Sequence, residues 1–248
     1  MPRRTTLQAA LALVALTAGA ARAQNPCTAV FYDHASFVDY CSNHGKLTKG
    51  TETFEEGQIP PGGKNCFPAP LGSPPLSPYF PDGLVQDNMI IQDNITPGPG
   101  PIPLQPSGQG CALYLIGTGF IGANSNKIGE DVFLSGIQAS LDILFTDHNK
   151  TGVGFRLSRF AGFPSAGWIV TVYDNNNVPI GQFPVAGPAG NEPTKDYFGV
   201  WCAGGIGRVN IYDLAGVAPD AIDDMETWFD GETATRAGTW GQHKLLYR

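Results

Sequence analysis

Apolar and polar residues alternate with a period of two through most of the chain after position 111. In the run "VGFRLS", Val153, Phe155 and Leu157 are apolar, and the residues between them are small or polar. Because successive side chains of a strand point to opposite faces of a sheet, this rhythm predicts half-buried strands. Several such segments, separated by turn residues, predict an all-β fold, an antiparallel β-sandwich. Its expected core consists of the inward-facing residues of these runs: Phe155, Leu157, Val170, Val172, Phe198, Val200, Val209 and Ile211.

Three local patterns predict the elements around these strands. The run "FYDHASFVDYC" predicts one short helix with Asp33 as its N-cap. The run "WIVTVYDNNNVPIGQF" predicts a hairpin that turns at residues 174–177. Residues 57–110 contain most of the prolines. Because proline cannot donate to a sheet ladder, they predict a long loop region with one strand at residues 84–91.

The stretch "LYLIGTGFIG" carries the spacing of a dinucleotide-binding turn, with Gly117, Gly119 and Gly122 after an apolar run. Such a turn needs a helix directly after its glycines, because the helix N-terminus holds the pyrophosphate. The sequence "ANSNKIGEDVF" that follows is rich in turn and β-branched residues. Asp142, at the distance expected of a ribose-binding carboxylate, lies in an alternating strand and faces away from the core. The glycines therefore predict a turn or a bulge.

The first 23 residues have the pattern of a cleavable export signal. Arg3 and Arg4 precede an apolar stretch, and an A-x-A sequence ends at Ala23. The apolar stretch is shorter than the roughly 20 residues that a membrane span needs. We expect cleavage after Ala23, a secreted or periplasmic location, and no membrane insertion. The mature chain is expected to be one domain, in which residues 24–110 supply N-terminal strands and a Pro/Gly-rich loop region and residues 111–248 the main part of the sandwich.

Acidic side chains dominate the charge of the protein. The 15 basic and 22 acidic residues give a net charge of −7, and loss of Arg3, Arg4 and Arg22 with the signal would leave 12 basic residues and a net charge near −10. A surface of this sign repels nucleic acid and anionic lipid, so we expect neither as a partner. It favours cations.

All five cysteines follow the export signal, in a compartment that permits disulfides. The odd number leaves at least one thiol unpaired. Bonds from Cys27 to Cys41 and from Cys66 to Cys111 would each close a loop in the N-terminal region. Cys202 alternates with apolar residues and is expected to lie in the core, although spacing alone does not fix the pairing.

The sequence contains few catalytic signals. Neither a G-x-S-x-G nucleophile elbow nor an H-E-x-x-H zinc motif is present. The histidines are scattered along the chain and are expected in loops or on the surface: His34, His44, His148 and His243.

Two acidic pairs are better candidates for a site. Glu55 and Glu56 end the first expected strand of the mature chain, and Asp223 and Asp224 lie in the last. First and last strands are often neighbours in a sandwich, so the pairs could converge on a hard cation, for which Ca²⁺ is the usual choice outside the cell. The alternative is that both pairs are solvated turns.

Several of these runs resemble a known family. The sequences "ETFEEG", "VGFRLSRF" and "AIDDMETWF" are similar to secreted bacterial jelly-roll domains of the galactose-binding-like type, a group that includes carbohydrate-binding modules. The resemblance covers residues 111–230 and the short segment around Glu55. It implies a jelly-roll sandwich with a structural calcium held by one carboxylate of each acidic pair. The hairpin departs from the family pattern, because Asn177 stands where glycine is common, although asparagine tolerates the same left-handed conformation.

Strand alternation also predicts which polar and aromatic side chains face outward. An outward aromatic ring beside polar groups is a plausible sugar-binding platform, because sugar rings stack on aromatic faces. The alternative is that loops cover these residues. The candidate ligand-binding residues are Arg156, Tyr173, Trp201, Asn210 and Tyr212.

These observations favour an exported, non-catalytic sandwich that binds a glycan or another cell-surface component, with calcium as a possible structural cofactor. One alternative is a polysaccharide lyase or hydrolase on the same fold, with its acid and base drawn from His148, Arg156, Tyr173 or the acidic pairs. Another is a structural protein of the envelope or extracellular matrix without a small ligand.

Overall fold

The computed structural model confirms the antiparallel β-sandwich. Within the described residues the chain forms one helix and fourteen strands, arranged in two sheets. The structure describes residues 27–72, 79–86, 88–95, 111–120, 123–130, 140–158, 167–187, 196–214 and 221–230. The expected export signal lies outside these ranges. Among the residues that are described, no helix is long and apolar enough to cross a membrane.

The elements follow one another in this order: β1 (Cys27–Phe31), α1 (His34–Asn43), β2 (Lys46–Glu52), β3 (Lys64–Phe67), β4 (Leu71–Gly72), β5 (Met89–Asn94), β6 (Leu113–Ile116), β7 (Lys127–Glu130), β8 (Ser140–Phe145), β9 (Lys150–Ser158), β10 (Trp168–Tyr173), β11 (Pro179–Val185), β12 (Asp196–Cys202), β13 (Arg208–Asp213) and β14 (Ala221–Asp230).

The larger sheet has the strand order β1-β12-β9-β14-β7-β6-β3, and β2 also pairs with β14. The smaller sheet has the order β11-β10-β13-β8-β5-β4. All of these pairings are antiparallel. The two inner faces enclose the main core, and all eight residues that the alternation predicts to face inward belong to it.

The predicted helix and hairpin are confirmed. Asp33 caps α1 through its carboxylate, which accepts hydrogen bonds from the backbone N–H of Ala35 and Ser36 at 3.3 and 2.9 Å. The hairpin joins β10 to β11, and Asn177 adopts the left-handed conformation at φ 60°. The Pro-rich region contains more sheet than expected, because β3 and β4 also form there and the expected strand begins later, as β5.

A turn and then a strand follow the first glycines of the glycine-rich stretch, where a dinucleotide-binding turn would have a helix. The backbone N–H of Gly119 donates to Ala123 O, which closes a tight loop, and β7 follows. Gly122 lies outside the described residues.

One disulfide matches the prediction and one corrects it. Cys66 is bonded to Cys111, as expected. Cys27 is bonded to Cys202 instead of Cys41, because β1 pairs with β12 in a register that sets Cys27 opposite Cys202. Cys41 is a buried free thiol on the inner side of α1, and its burial raises the thiol pKa to about 12.

Helix α1 packs on the outer face of the larger sheet and runs along β12. The ring of His34 lies 5.1 Å from that of Tyr197, and the ring of Tyr40 lies 5.7 Å from that of Trp201. Phe37, between them, forms a second small core with Cys41, Tyr197 and Trp228. The helix therefore covers a face that strand alternation alone would leave open to solvent.

Two glycines make room for this helix. A Cβ atom on Gly154 of β9 would lie 2.8 Å from Phe37 Cε1, and one on Gly199 of β12 would lie 2.8 Å from Phe37 Cδ2. Contacts of that length are repulsive, so only a residue without a side chain fits beneath the ring at these positions. The glycines at these outward-facing positions of β9 and β12 thus allow α1 to pack closely against the sheet.

Gly199→Ala is expected to destabilise the fold by about 1–3 kcal/mol, because the added methyl group overpacks the seat of Phe37. Urea unfolding of the purified protein measures the change. In the double variant Gly199→Ala/Phe37→Ala, the methyl group enters the cavity that the ring leaves. The loss of unfolding free energy in the double variant should therefore be smaller, by at least about 0.5 kcal/mol, than the sum of the losses in the two single variants. An unfolding free energy of Gly199→Ala within about 0.5 kcal/mol of the parent would contradict this packing.

Candidate functional site

A cleft whose lining residues all carry polar groups opens on the outer face of the larger sheet at the start of α1. Its volume is about 280 Å³, close to the lower end of the usual range for small-molecule sites. We call it the α1 cleft. It is lined by His34, Thr51, Thr53, Arg156, Tyr197 and Asp224.

Strand register brings the wall residues together from three neighbouring strands. Tyr197 of β12 lies opposite Arg156 of β9, which in turn lies opposite Asp223 of β14. Beyond Asp223 the pairing of β14 with β9 shifts, and Asp224 takes the left-handed conformation at φ 46°. A bulge of this kind re-aims a side chain. Here the Asp224 carboxylate accepts from Arg156 Nε at 2.8 Å.

Glu226 lies beneath the cleft and is held by three donors. Its Oε1 accepts from the Tyr197 hydroxyl at 2.6 Å and contacts His34 Nε2 at 3.0 Å. Its Oε2 accepts from Trp228 Nε1 at 3.1 Å. The Glu226 side chain is only 5% exposed, whereas that of His34 is 49% exposed. A buried carboxylate therefore anchors an imidazole that solvent reaches.

The Glu226 carboxylate also influences the pKa of Tyr197 and the tautomer of His34. Burial, together with the negative charge of Glu226, raises the pKa of the Tyr197 phenol, so the hydroxyl keeps its proton at neutral pH. A carboxylate can only accept, so its contact with His34 Nε2 favours the tautomer that carries hydrogen on Nε2. The His34 Nδ1 lone pair is then available to accept a proton.

An apolar hollow of about 370 Å³ adjoins the cleft and shares Tyr197 with it. Its other lining residues are Tyr32, Pro184, Val185 and Ala186. Tyr32 is 55% exposed, and its hydroxyl donates to Pro184 O at 3.2 Å, which fixes the ring at the rim. An aromatic surface therefore lies beside the polar wall.

The structure does not bring the five candidate ligand-binding residues together. Arg156 lines the α1 cleft, whereas Trp201 lies near the other end of α1, against Tyr40. Tyr173, Asn210 and Tyr212 belong to the smaller sheet and are buried. The sequence could not reveal this separation, because alternation assigns a side chain to one of two faces without saying which sheet the strand joins.

The outer face of the smaller sheet holds a buried polar network instead of a platform. Asp142 faces away from the apolar core, as expected, yet it is fully buried. Its carboxylate accepts from Asn94 Nδ2 at 2.8 Å and Asn210 Nδ2 at 2.9 Å, and Arg208 Nε lies 3.3 Å away. Burial raises the pKa of Asp142, while Arg208 and the two amides oppose this effect. The guanidinium of Arg208 also lies over the Tyr173 ring, 3.7 Å from its centre.

The acidic pairs lie near one another, and Glu55, Asp223 and Asp224 each bind a protein donor. Glu56 Oε1, by contrast, is buried without a hydrogen-bond partner among the described residues. Glu55 Oε1 accepts from the Asn126 backbone N–H at 2.8 Å. Asp223 Oδ2 lies 2.8 Å from the buried ammonium of Lys127. Asp224 is paired with Arg156, as described above.

Of the predicted calcium ligands Glu55, Glu56, Asp223 and Asp224, the two aspartates already have a protein cation beside them, Lys127 for Asp223 and Arg156 for Asp224. Among the described residues, no group of three or more His, Cys, Asp or Glu side chains could hold a metal ion. Calcium binding stays a prediction.

A second pair of carboxyl groups lies near the end of β2. Glu52 is fully buried and accepts from the backbone N–H groups of Phe54 and Gln86, each at 3.1 Å. Burial raises its pKa to about 8, and the hydrogen bond and charge of Glu56 act in the same direction. The Glu52 carboxyl therefore keeps its proton over much of the neutral range.

Sequence reasoning missed most of the α1 cleft. It named Arg156 and Asp224, but not the roles of His34, Tyr197 and Glu226. His148, a candidate for the enzyme alternative, lies in a separate hollow with Asp174 and Asn175. The outward-facing glycines of β9 and β12 were the available signal, because they indicate that another element approaches the sheet closely.

No protein-family model matches this chain, and no curated protein or solved structure is detectably similar to it. The galactose-binding-like resemblance therefore stays a prediction that depends on the sequence motifs.

Lys127→Met is expected to destabilise the fold by about 3–5 kcal/mol, because it leaves the Asp223 carboxylate buried without its cation. The double variant with Asp223→Asn removes both charges and should recover a large part of the loss in urea unfolding. If Lys127→Met is as stable as the parent, the expectation is wrong and the ion pair between Lys127 and Asp223 is not desolvated.

Glu56→Gln is expected to make stability less dependent on pH. The pKa of Glu52 is raised from 4.5 to about 8 in the folded protein, so its contribution to stability is fully present below about pH 4.5 and is lost as the pH rises through about 8. Removing the Glu56 charge lowers that pKa. The parent's unfolding free energy should fall between about pH 5 and pH 8, and that of the variant should fall less. Glu55→Gln is the matched control, and equal slopes in the parent and Glu56→Gln would contradict the coupling.

Proposed function

We propose that this protein is an exported glycan-binding protein whose ligand occupies the α1 cleft and extends into the apolar hollow beside it. The observation that carries the proposal is that Tyr197 belongs to the lining of both hollows. One side offers the hydrogen-bonding groups of His34, Thr51 and Arg156, and the other offers the exposed ring of Tyr32. Sugar recognition requires both kinds of surface.

Fixed geometry supports the proposal. Asp224 binds the Nε of Arg156, a residue that lines the cleft, so the guanidinium is oriented before a ligand arrives. Glu226 likewise orients His34. Side chains that are already ordered lose little conformational entropy when they bind, so their hydrogen bonds contribute more to affinity.

Net charge favours a neutral glycan as the ligand. A net charge of −7 repels polyanions, which argues against sulfated or uronate-rich polymers as well as nucleic acid. The two disulfides agree with export to an oxidising compartment.

Arg156→Ala is expected to weaken glycan binding about 10- to 100-fold, because hydrogen bonds from a charged donor contribute about 1.5–3 kcal/mol. Tyr32→Ala should weaken it by a smaller factor, about 3- to 10-fold, through loss of ring stacking. The measurement is a glycan array on the parent, followed by titration of each variant with the best neutral oligosaccharide. Val85→Ala, which alters a side chain that is also 55% exposed, is the matched control.

Trp201→Ala separates this proposal from the platform expected from the sequence. Trp201 lies toward the opposite end of α1 from His34, so its loss should leave binding intact. Loss of binding in Trp201→Ala with retention in Arg156→Ala would refute the α1 cleft as the site. A blank array together with self-association of the protein would favour the structural alternative.

A further inference from the structure

The α1 cleft contains more than binding requires, because His34 and Glu226 form an acid–base pair. Glu226 is buried and bound by Tyr197 and Trp228, so it is a fixed acceptor. It holds His34 through Nε2 and leaves Nδ1 as the basic nitrogen on an imidazole that is half exposed. A base oriented by a buried carboxylate at the wall of a cleft is the arrangement that general-base catalysis uses.

We propose that the α1 cleft hydrolyses acyl esters on a neutral glycan, with His34 as the general base. The inference rests on the proposed glycan binding and adds a reaction to it. In this reaction a water oxygen forms a bond to the carbonyl carbon of the ester, while His34 Nδ1 takes the proton that the water loses. The bond between that carbon and the sugar oxygen then breaks. Its electron pair stays on the sugar oxygen, which takes the proton back from the imidazolium. The products are a carboxylic acid and a free sugar hydroxyl.

Arg156 is the group that can stabilise the oxyanion of the tetrahedral intermediate. Its side chain is 33% exposed on the cleft, and its charge remains on the guanidinium at any working pH. Asp224 holds it through Nε and is therefore a positioning residue. Glu226 is the positioning residue of His34.

The bonding of the two carboxylates makes glycosidic cleavage a poorer fit. Glycoside hydrolases use two carboxyl groups, one of which must donate a proton to the leaving oxygen. Here Asp224 is paired with Arg156, and Glu226 accepts from Tyr197 and Trp228 as well as contacting His34. Elimination from a uronate would need an anionic polymer, which the net charge of −7 repels. Ester hydrolysis needs only the base, water and the oxyanion-stabilising cation.

The test uses acetylated xylan and acetylated glucomannan, each beside the same polymer after alkaline deacetylation. Acetate release measures the reaction, and titration with the deacetylated polymers measures binding. His34→Ala should lower kcat about 100- to 10,000-fold. Its effect on binding should be much smaller, at most about 10-fold, because only one hydrogen bond to the glycan is lost. Added imidazole should restore part of the rate. His44→Ala, which alters an exposed histidine beyond the other end of α1, should be as active as the parent.

Glu226→Gln tests positioning. It should lower kcat at least about tenfold while KM stays near the parent value, because the imidazole loses its fixed tautomer. A urea unfolding curve accompanies each variant. If Glu226→Gln does not fold, the His34→Ala variant still tests the proposed reaction, because the His34 side chain is half exposed and its loss should not prevent folding.

The outcomes separate the two proposals. Binding to the deacetylated polymers without acetate release from either ester overturns the hydrolase and leaves glycan binding standing. Acetate release that His34→Ala does not reduce also overturns it. Absence of both binding and release overturns both proposals. Release that is lost in His34→Ala and restored by imidazole supports the hydrolase.

Discussion

The contact of the Phe37 ring with Gly154 and Gly199 determines how the α1 cleft is arranged. Gly154 and Gly199 place no side chain at two positions on the outer face of the larger sheet, and the Phe37 ring occupies that space. This contact fixes α1 along β12. Because α1 is fixed, His34 at its first turn lies over Tyr197 and Glu226. Without the glycines the helix would stand farther from the sheet, and the cleft at its start would lose one wall.

The other wall depends on an irregularity in the last strand. The first part of β14 pairs with β7 and the later part with β2, and the shift between them falls at the acidic residues. Asp223 on one side of the shift meets Lys127, and Asp224 meets Arg156. Pairing with β9 resumes at Glu226, which lies opposite Gly154. One bulge therefore orients Arg156 and sets the buried carboxylate that holds His34. The regular strands hold these residues in place, and the bulge in β14 positions the charged side chains of the cleft.

The sequence predicted the sandwich because strand alternation is a local property. The inward residues of β9 and β12, such as Phe155 and Val200, are buried as their spacing requires. It failed where the result depends on which strands become neighbours. The pairing of Cys27 with Cys202, and the separation of Arg156 from Tyr173, follow from strand order, which period-two spacing does not encode.

The outer faces were misread for the same reason. Tyr173 and Asn210 point away from the core, but they are buried in a polar network on the smaller sheet.

Detection of nuclear Overhauser effects between the Phe37 ring protons and the α-protons of Gly154 and Gly199 is the most direct test of the packing of α1 on the larger sheet. The account predicts strong effects to both glycines. A Phe37 ring that shows neither effect, in a protein whose sheets are otherwise formed, would contradict it.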